Sequence, residues 1–114
     1  MVEVRFRRDS RDRLSSVVSR GHADQAKHGE DVACAAVSAL LQAAWVGLTD
    51  VAHVRVTGHR RSGDLLMCWP EDARDRDDVR AIVATAELAI EQIAGDPLYR
   101  GAIRYVRERE RNRT

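Results

Sequence analysis

Lysine is almost missing from this chain. Lys27 is the only one, and arginine supplies the rest of the nineteen basic side chains. That imbalance reads as a compositional bias, not as a device for binding phosphate. Cysteine is scarce as well: Cys34 and Cys68 are too few for a disulfide framework, and a cytoplasmic setting disfavours joining them. The opening Met1–Arg8 alternates polar and apolar residues and lacks the apolar run of a signal peptide. The longest apolar stretch, 32–46, is interrupted by Ser38 and Gln42 and is read as too short for a membrane span. A strong basic excess is lacking too, and a formal charge of +1 argues against broad nucleic-acid binding. The expectation is a cytoplasmic protein that works without direct contact to nucleic acid or membrane.

What the chain does contain fits one domain spanning 1–114. Its 114 residues are 44% hydrophobic and 32% charged, the composition of a globular domain and not of a disordered one. A core of this size is thin, so docking against a second copy would bury further apolar surface.

Val2, Val4 and Phe6 alternate with Glu3, Arg5 and Arg7, which predicts a half-buried strand. The polar stretch 9–12 reads as a turn and Leu14–Ser19 as a second strand, together a hairpin. A loop is expected from Gly21 to Glu30. Asp31 then stands as an N-cap before an apolar helix over 32–46, expected to be largely buried and to end at Gly47. Residues 51–57 and 64–69 read as strands joined through Gly58–Gly63. Val79, Ile82, Val83, Ala86, Ile90 and Ile93 recur at helical spacing and predict a helix over 75–94. Residues 102–106 give a last strand, and the charged tail 107–114 is expected to fray. The order ββαββαβ implies an α+β fold, a mainly antiparallel sheet with two helices packed on it.

Cysteine chemistry needs a thiolate. Cys34 falls three residues after the expected cap, where orphan amides and the positive helix end would favour a negative sulfur, whereas the charge of Asp31 opposes it. Cys68 is mid-strand without such help, which makes Cys34 the better candidate nucleophile. Such a thiol also wants an imidazole to take and return its proton. Among His22, His28, His53 and His59, His22 stands out at a strand end beside Gly21, although a buried, inert cysteine remains the bland reading. His22, His28 and Cys34 lack the paired close spacings of a zinc site, so no metal is expected. His53 in a strand and His59 in a turn are read as structural or solvated. Trp45 and Trp69 are read as core or dimer-contact residues, and the acidic run 71–78 as a solvated helix start.

Gly21-His22-Ala23, the twelve-residue step to Cys34, and the run Gly29-Glu30-Asp31-Val32-Ala33-Cys34-Ala35-Ala36-Val37-Ser38 resemble the signature of the ribosomal-processing cysteine proteases called Prp. Val32-Ala33 stands where that family often has isoleucine and valine. The resemblance implies a homodimeric endopeptidase, without cofactor, that removes an N-terminal extension from large-subunit ribosomal protein twenty-seven. It casts Cys34 as nucleophile and His22 as general base and then general acid, with Gly21, Asp31 and Ser38 in support. Asp31 either caps the helix or orients His22. Ser38, one turn beyond Cys34 on the same helix face, either hydrogen-bonds within the site or satisfies a backbone carbonyl. The alternative function is a non-catalytic ribosome-associated binding module with the same fold.

Overall fold

A computed structural model of the chain describes residues 1–21, 28–99 and 101–110, the side chains of 28–31 excepted. Five strands and two long helices follow one another: β1 (Val2–Arg8), β2 (Leu14–Arg20), α1 (His28–Val46), β3 (Thr57–Arg61), β4 (Asp64–Cys68), α2 (Asp77–Ala94) and β5 (Ile103–Arg109). The sheet order is β3-β4-β2-β1-β5. Every pairing is antiparallel except that of β1 with β5, which returns alongside it in parallel after α2. The expected α+β class is the observed one.

The alternation of β1 sets the two faces of the sheet. Val2, Val4 and Phe6 are buried, and their register partners Ser19 and Val17 on β2 lead to Met67 on β4. All of these but Ser19 share one core cluster with Val37 and Leu41 of α1 and with Val79, Val83 and Ile90 of α2. Glu3, Arg5 and Arg7 point the other way. Arg5 donates to Glu3 at 2.6 Å, and Arg7 reaches Glu108 of β5 at 2.9 Å. No helix covers that face among the described residues, yet Val18 in its middle is buried, because arginine stems lie across it.

The β1–β2 turn is held by a buried carboxylate. Asp9 accepts hydrogen bonds from the backbone amides of Arg11 (2.9 Å) and Arg13 (3.1 Å), and from the guanidinium groups of Arg13 (3.1 Å) and Arg74 (3.0 Å). Burial alone would raise its pKa. Those hydrogen bonds outweigh burial and hold the carboxyl at about 2. A second buried carboxylate, Glu87 of α2, accepts both arms of Arg8 at 2.7 and 3.0 Å and the Tyr105 hydroxyl at 2.9 Å, tying α2 to β1 and β5. Burial and the neighbouring Glu87 push the Tyr105 hydroxyl well above its usual pKa.

Several expectations are corrected here. The helix begins at His28, so His28, Gly29 and Glu30 belong to α1 and not to a loop, and Asp31 lies inside it instead of capping it. Nor does α1 stop at Gly47. It runs on into a π turn, Gly47–Val51, closed by Ala52 N–H donating to Gly47 at 2.9 Å. α2 packs closely at Gly47: a Cβ there would stand 3.1 Å from Ile82 Cγ2, whose side chain would have to give by a few tenths of an ångström. The chain leaves the helix at His53, which is left-handed (φ 56°), while Val54 N–H donates back to Leu48 at 2.8 Å. The left-handed residue ends the helix, so residues 52–56 are not a strand and β3 starts only at Thr57. His59 is accordingly in β3, bonded to Asp64 at 3.0 Å, and not in a turn. Trp69 is core, with its indole N–H donated to the Leu14 carbonyl at 2.8 Å. β5 extends through Arg109, so 107–109 are paired and not frayed, and 111–114 lie outside the described residues.

α1 buries one face only. Ala33, Val37, Leu41 and Ala44 are buried, whereas Val32 and Val46 are exposed, against the expectation of a largely buried helix. With the π turn, Val32–Val51 is long and apolar enough by length and composition to cross a bilayer (mean hydropathy 1.7), although the sequence reading took the stretch to be too short. Only 28% of it is buried within the chain.

Candidate active site

Cys34 lies six residues beyond the first residue of α1. At about 1.5 Å per residue that is about 9 Å into the helix, not in the first turn as expected. The field of a helix end fades within that turn, so it gives the sulfur little help. Cys34 is half-buried and borders a cleft of about 110 Å³ between α1 and the β3–β4 hairpin. Val37, Ser38, Leu41 and Gln42 continue the α1 wall, since i, i+4 and i+8 share a helix face. Gly21, Gly63, Asp64, Leu65 and Arg60 close the other side.

Gly21 is required where it stands. Its φ is +137°, and a Cβ there would land on the Met1 carbonyl oxygen and 2.8 Å from Val2 Cα, both backbone. Its N–H donates to the Gly63 carbonyl at 3.0 Å, which fastens the end of β2 to the hairpin turn. Thus the residue immediately before His22 forms a wall of the Cys34 cleft. His22 itself lies outside the described residues, as does the side chain of Asp31, so the pairing of His22 with Cys34 and the role of Asp31 lie outside them too. Ser38 is exposed, and its Oγ accepts a hydrogen bond from Gln42 Nε2 at 2.8 Å.

Cys68 is a poor nucleophile by contrast. It stands on the opposite sheet face, paired with Ser16 and Thr57, and burial together with the nearby Glu110 carboxylate pushes its thiol pKa up. No group of three or more His, Cys, Asp or Glu able to hold a metal occurs among the described residues.

Cys34, Ser38 and Gly21, singled out in the sequence, line one cleft. Gln42, Arg60, Asp64 and Leu65 line it too and were not among the expected residues. Gln42 was reachable from helical spacing alone, two turns past Cys34. The hairpin residues carry no local signal, because only the tertiary packing of β3–β4 beside α1 brings them in.

A half-buried thiol on a helix, opening into a cleft on an α+β sheet, is a candidate nucleophile. The chain belongs to the family Cysteine protease Prp, whose family model matches residues 1–99. The fold agrees. The essential ribosomal processing protease Prp from S. aureus in complex with a substrate peptide superposes with a TM-score of 0.82 at 20% identity, over 94% of this chain and 99% of that one. The same enzyme with a covalently linked product peptide gives 0.78 at 21% identity, over 94% and 99%. SMU.848 from Streptococcus mutans gives 0.75 at 23% identity, over 96% of each chain. A search of curated proteins finds no match.

Proposed function

We propose that this chain is a cysteine endopeptidase of ribosome maturation, acting in the cytoplasm, with Cys34 as nucleophile and His22 as its base. The observation that carries the reading is the Cys34 cleft, one wall of which is Gly21, in a chain of the cysteine protease Prp family. Similar folds in S. aureus hold a substrate peptide and a covalently linked product peptide.

In the proposed reaction His22 takes the Cys34 proton as sulfur attacks the scissile carbonyl. The S–C bond forms, the C–N bond breaks, and the leaving amine receives that proton from His22. Water then attacks the thioester, giving a proton to His22, and the peptide departs as a carboxylate while the thiol is restored. No step calls for a cofactor. The proposed substrate is the N-terminal extension of large-subunit ribosomal protein twenty-seven. A homodimer is part of the same reading, and the exposed apolar side of α1, with Val32 and Val46, is the surface a second copy would cover.

The test is incubation of the chain with a peptide spanning the N-terminus of that host ribosomal protein, read by mass spectrometry, beside Cys34→Ala and His22→Ala. A single cut that disappears in both variants is expected. A folded chain that leaves an extension-bearing peptide intact would favour the non-catalytic binding module instead.

A further inference from the structure

The cleft beside Cys34 has an apolar floor and a charged rim. Val37 and Leu41, each 1% exposed, lie in the floor, whereas Arg60 and Arg61 of the edge strand β3 are exposed at the rim. The Arg60 guanidinium sits over Trp45 of α1, 5.0 Å from the ring centroid. Stacking of this kind fixes the guanidinium plane and leaves its N–H edge for a planar partner such as a carboxylate.

The surroundings do not supply that partner among the described residues. Arg5 and Arg7 of β1, Arg20 of β2 and Arg104 of β5 each reach a carboxylate, but neither Arg60 nor Arg61 makes such a pair among the described residues. Asp64, the described carboxylate at the cleft, faces His59 and Arg20, and its buried Oδ1 has no hydrogen-bond partner among the described residues. Its Oδ2 is 3.0 Å from His59 Nε2 and its Oδ1 is 3.6 Å from Arg20. A peptide running from Cys34 past Ser38 and Gln42 toward Trp45 would bring one of its side chains to this stacked cation.

We propose that Arg60 is a specificity-determining residue that selects peptides carrying an aspartate or glutamate in the segment laid along α1. The inference rests on the peptidase reading for the bond that is cut, but the recognition itself is a binding property. A charge-assisted hydrogen bond to a carboxylate distinguishes it from the neutral amide of the same shape by about tenfold.

The experiment uses two matched pools of capped seven-residue peptides with an apolar centre, one containing glutamate at the flanking positions and one containing glutamine. Both are passed over immobilised Cys34→Ala chain, and the retained peptides are quantified by mass spectrometry. Glutamate peptides are expected to be enriched about tenfold. The enrichment should vanish with Arg60→Gln, survive in part with Arg60→Lys, and persist with Arg55→Gln, whose exposed arginine lies outside the cleft. A glutamate-to-glutamine ratio within about twofold, or one unchanged by Arg60→Gln in a protein that still melts cooperatively, would overturn the proposal; Arg60→Ala serves the same comparison if Arg60→Gln does not fold. The unmodified chain is given the same pools in parallel. Enrichment without any cleavage counts against the peptidase reading alone, and cleavage without a glutamate preference counts against this inference alone.

Discussion

Replacing Asp9 by asparagine should weaken the fold by an amount set by pH. The carboxylate is 7% exposed and holds the β1–β2 turn to Arg13 and Arg74. Asparagine keeps a side-chain oxygen for the amides of Arg11 and Arg13 but loses the charge that both guanidinium groups share. The carboxyl stands at about 2 in the folded chain against the usual 3.8. That gap is worth about 2 kcal/mol at neutral pH. For a chain of this length the entropy of unfolding is about 0.24 kcal/mol/K, so the variant should melt about 8 °C lower. Because the folded pKa is depressed, the contribution is complete above the unfolded value of 3.8 and is lost as pH falls through 2. Urea unfolding of both proteins, followed by circular dichroism at pH 6.5, 4, 3 and 2, should therefore show a stability gap that closes toward acid. A gap that stays the same at every pH would refute the account. Peptide cleavage well below the melting temperature should be unchanged, since Asp9 is not among the residues lining the Cys34 cleft.

Three further outcomes follow from the same contacts. Gly21→Ala forces a side chain into backbone at φ +137°; strain of about 1–3 kcal/mol should lower the melting point by about 4–12 °C and reduce cleavage even in fully folded protein, which thermal melts and peptide assays run together would separate. Glu87→Leu leaves Arg8 buried without its bidentate partner and Tyr105 without its acceptor, which should cost about 3–5 kcal/mol in chemical denaturation, less if Arg8 is replaced by methionine in the same chain. Iodoacetamide should alkylate Cys34 of the folded chain well before Cys68, whose thiol is raised by burial and Glu110, and this preference should shrink in His22→Ala.

Elements with one strong period were legible in the sequence. The alternation of Val2, Val4 and Phe6 placed β1, and the spacing of Val79, Val83, Ala86 and Ile90 placed α2, because each element buries one face and leaves the other in water. α1 lacks that contrast. Its apolar residues lie on all sides, so neither its buried face nor its first turn stands out, and the start at His28 was placed too late. The stop at His53 depends on one left-handed residue that is not glycine, and the alternating valines after it imitate a strand. The charged run 107–109 looked like a solvated tail because its ion pairs are made across the sheet, with Glu108 serving Arg7 and Arg5 of β1. Within the cleft, the placing of Ser38 on the Cys34 face was legible from helical spacing. Arg60 was not, since its stacking on Trp45 joins residues of α1 and β3 that no local pattern relates.

The longer α1 alters how the proposed chemistry must work. Had Cys34 stood in the first helical turn, orphan amides and the helix field could have held much of the negative charge on sulfur. About two turns in, those amides are spent on the helix's own hydrogen bonds and the field has faded. Activation of the thiol then falls to a side chain, which is the task given to His22. The fold supports this division. Gly21 is locked against the β1 backbone and bonded to Gly63, so the chain that continues into His22 leaves from a fixed point on the rim of the Cys34 cleft. The ion-paired networks of Asp9 and Glu87 hold the sheet and α2 through residues that do not line that cleft. These two networks are thus separate from the residues that line the cleft, and a variant in either of them should leave cleavage measurable in folded protein.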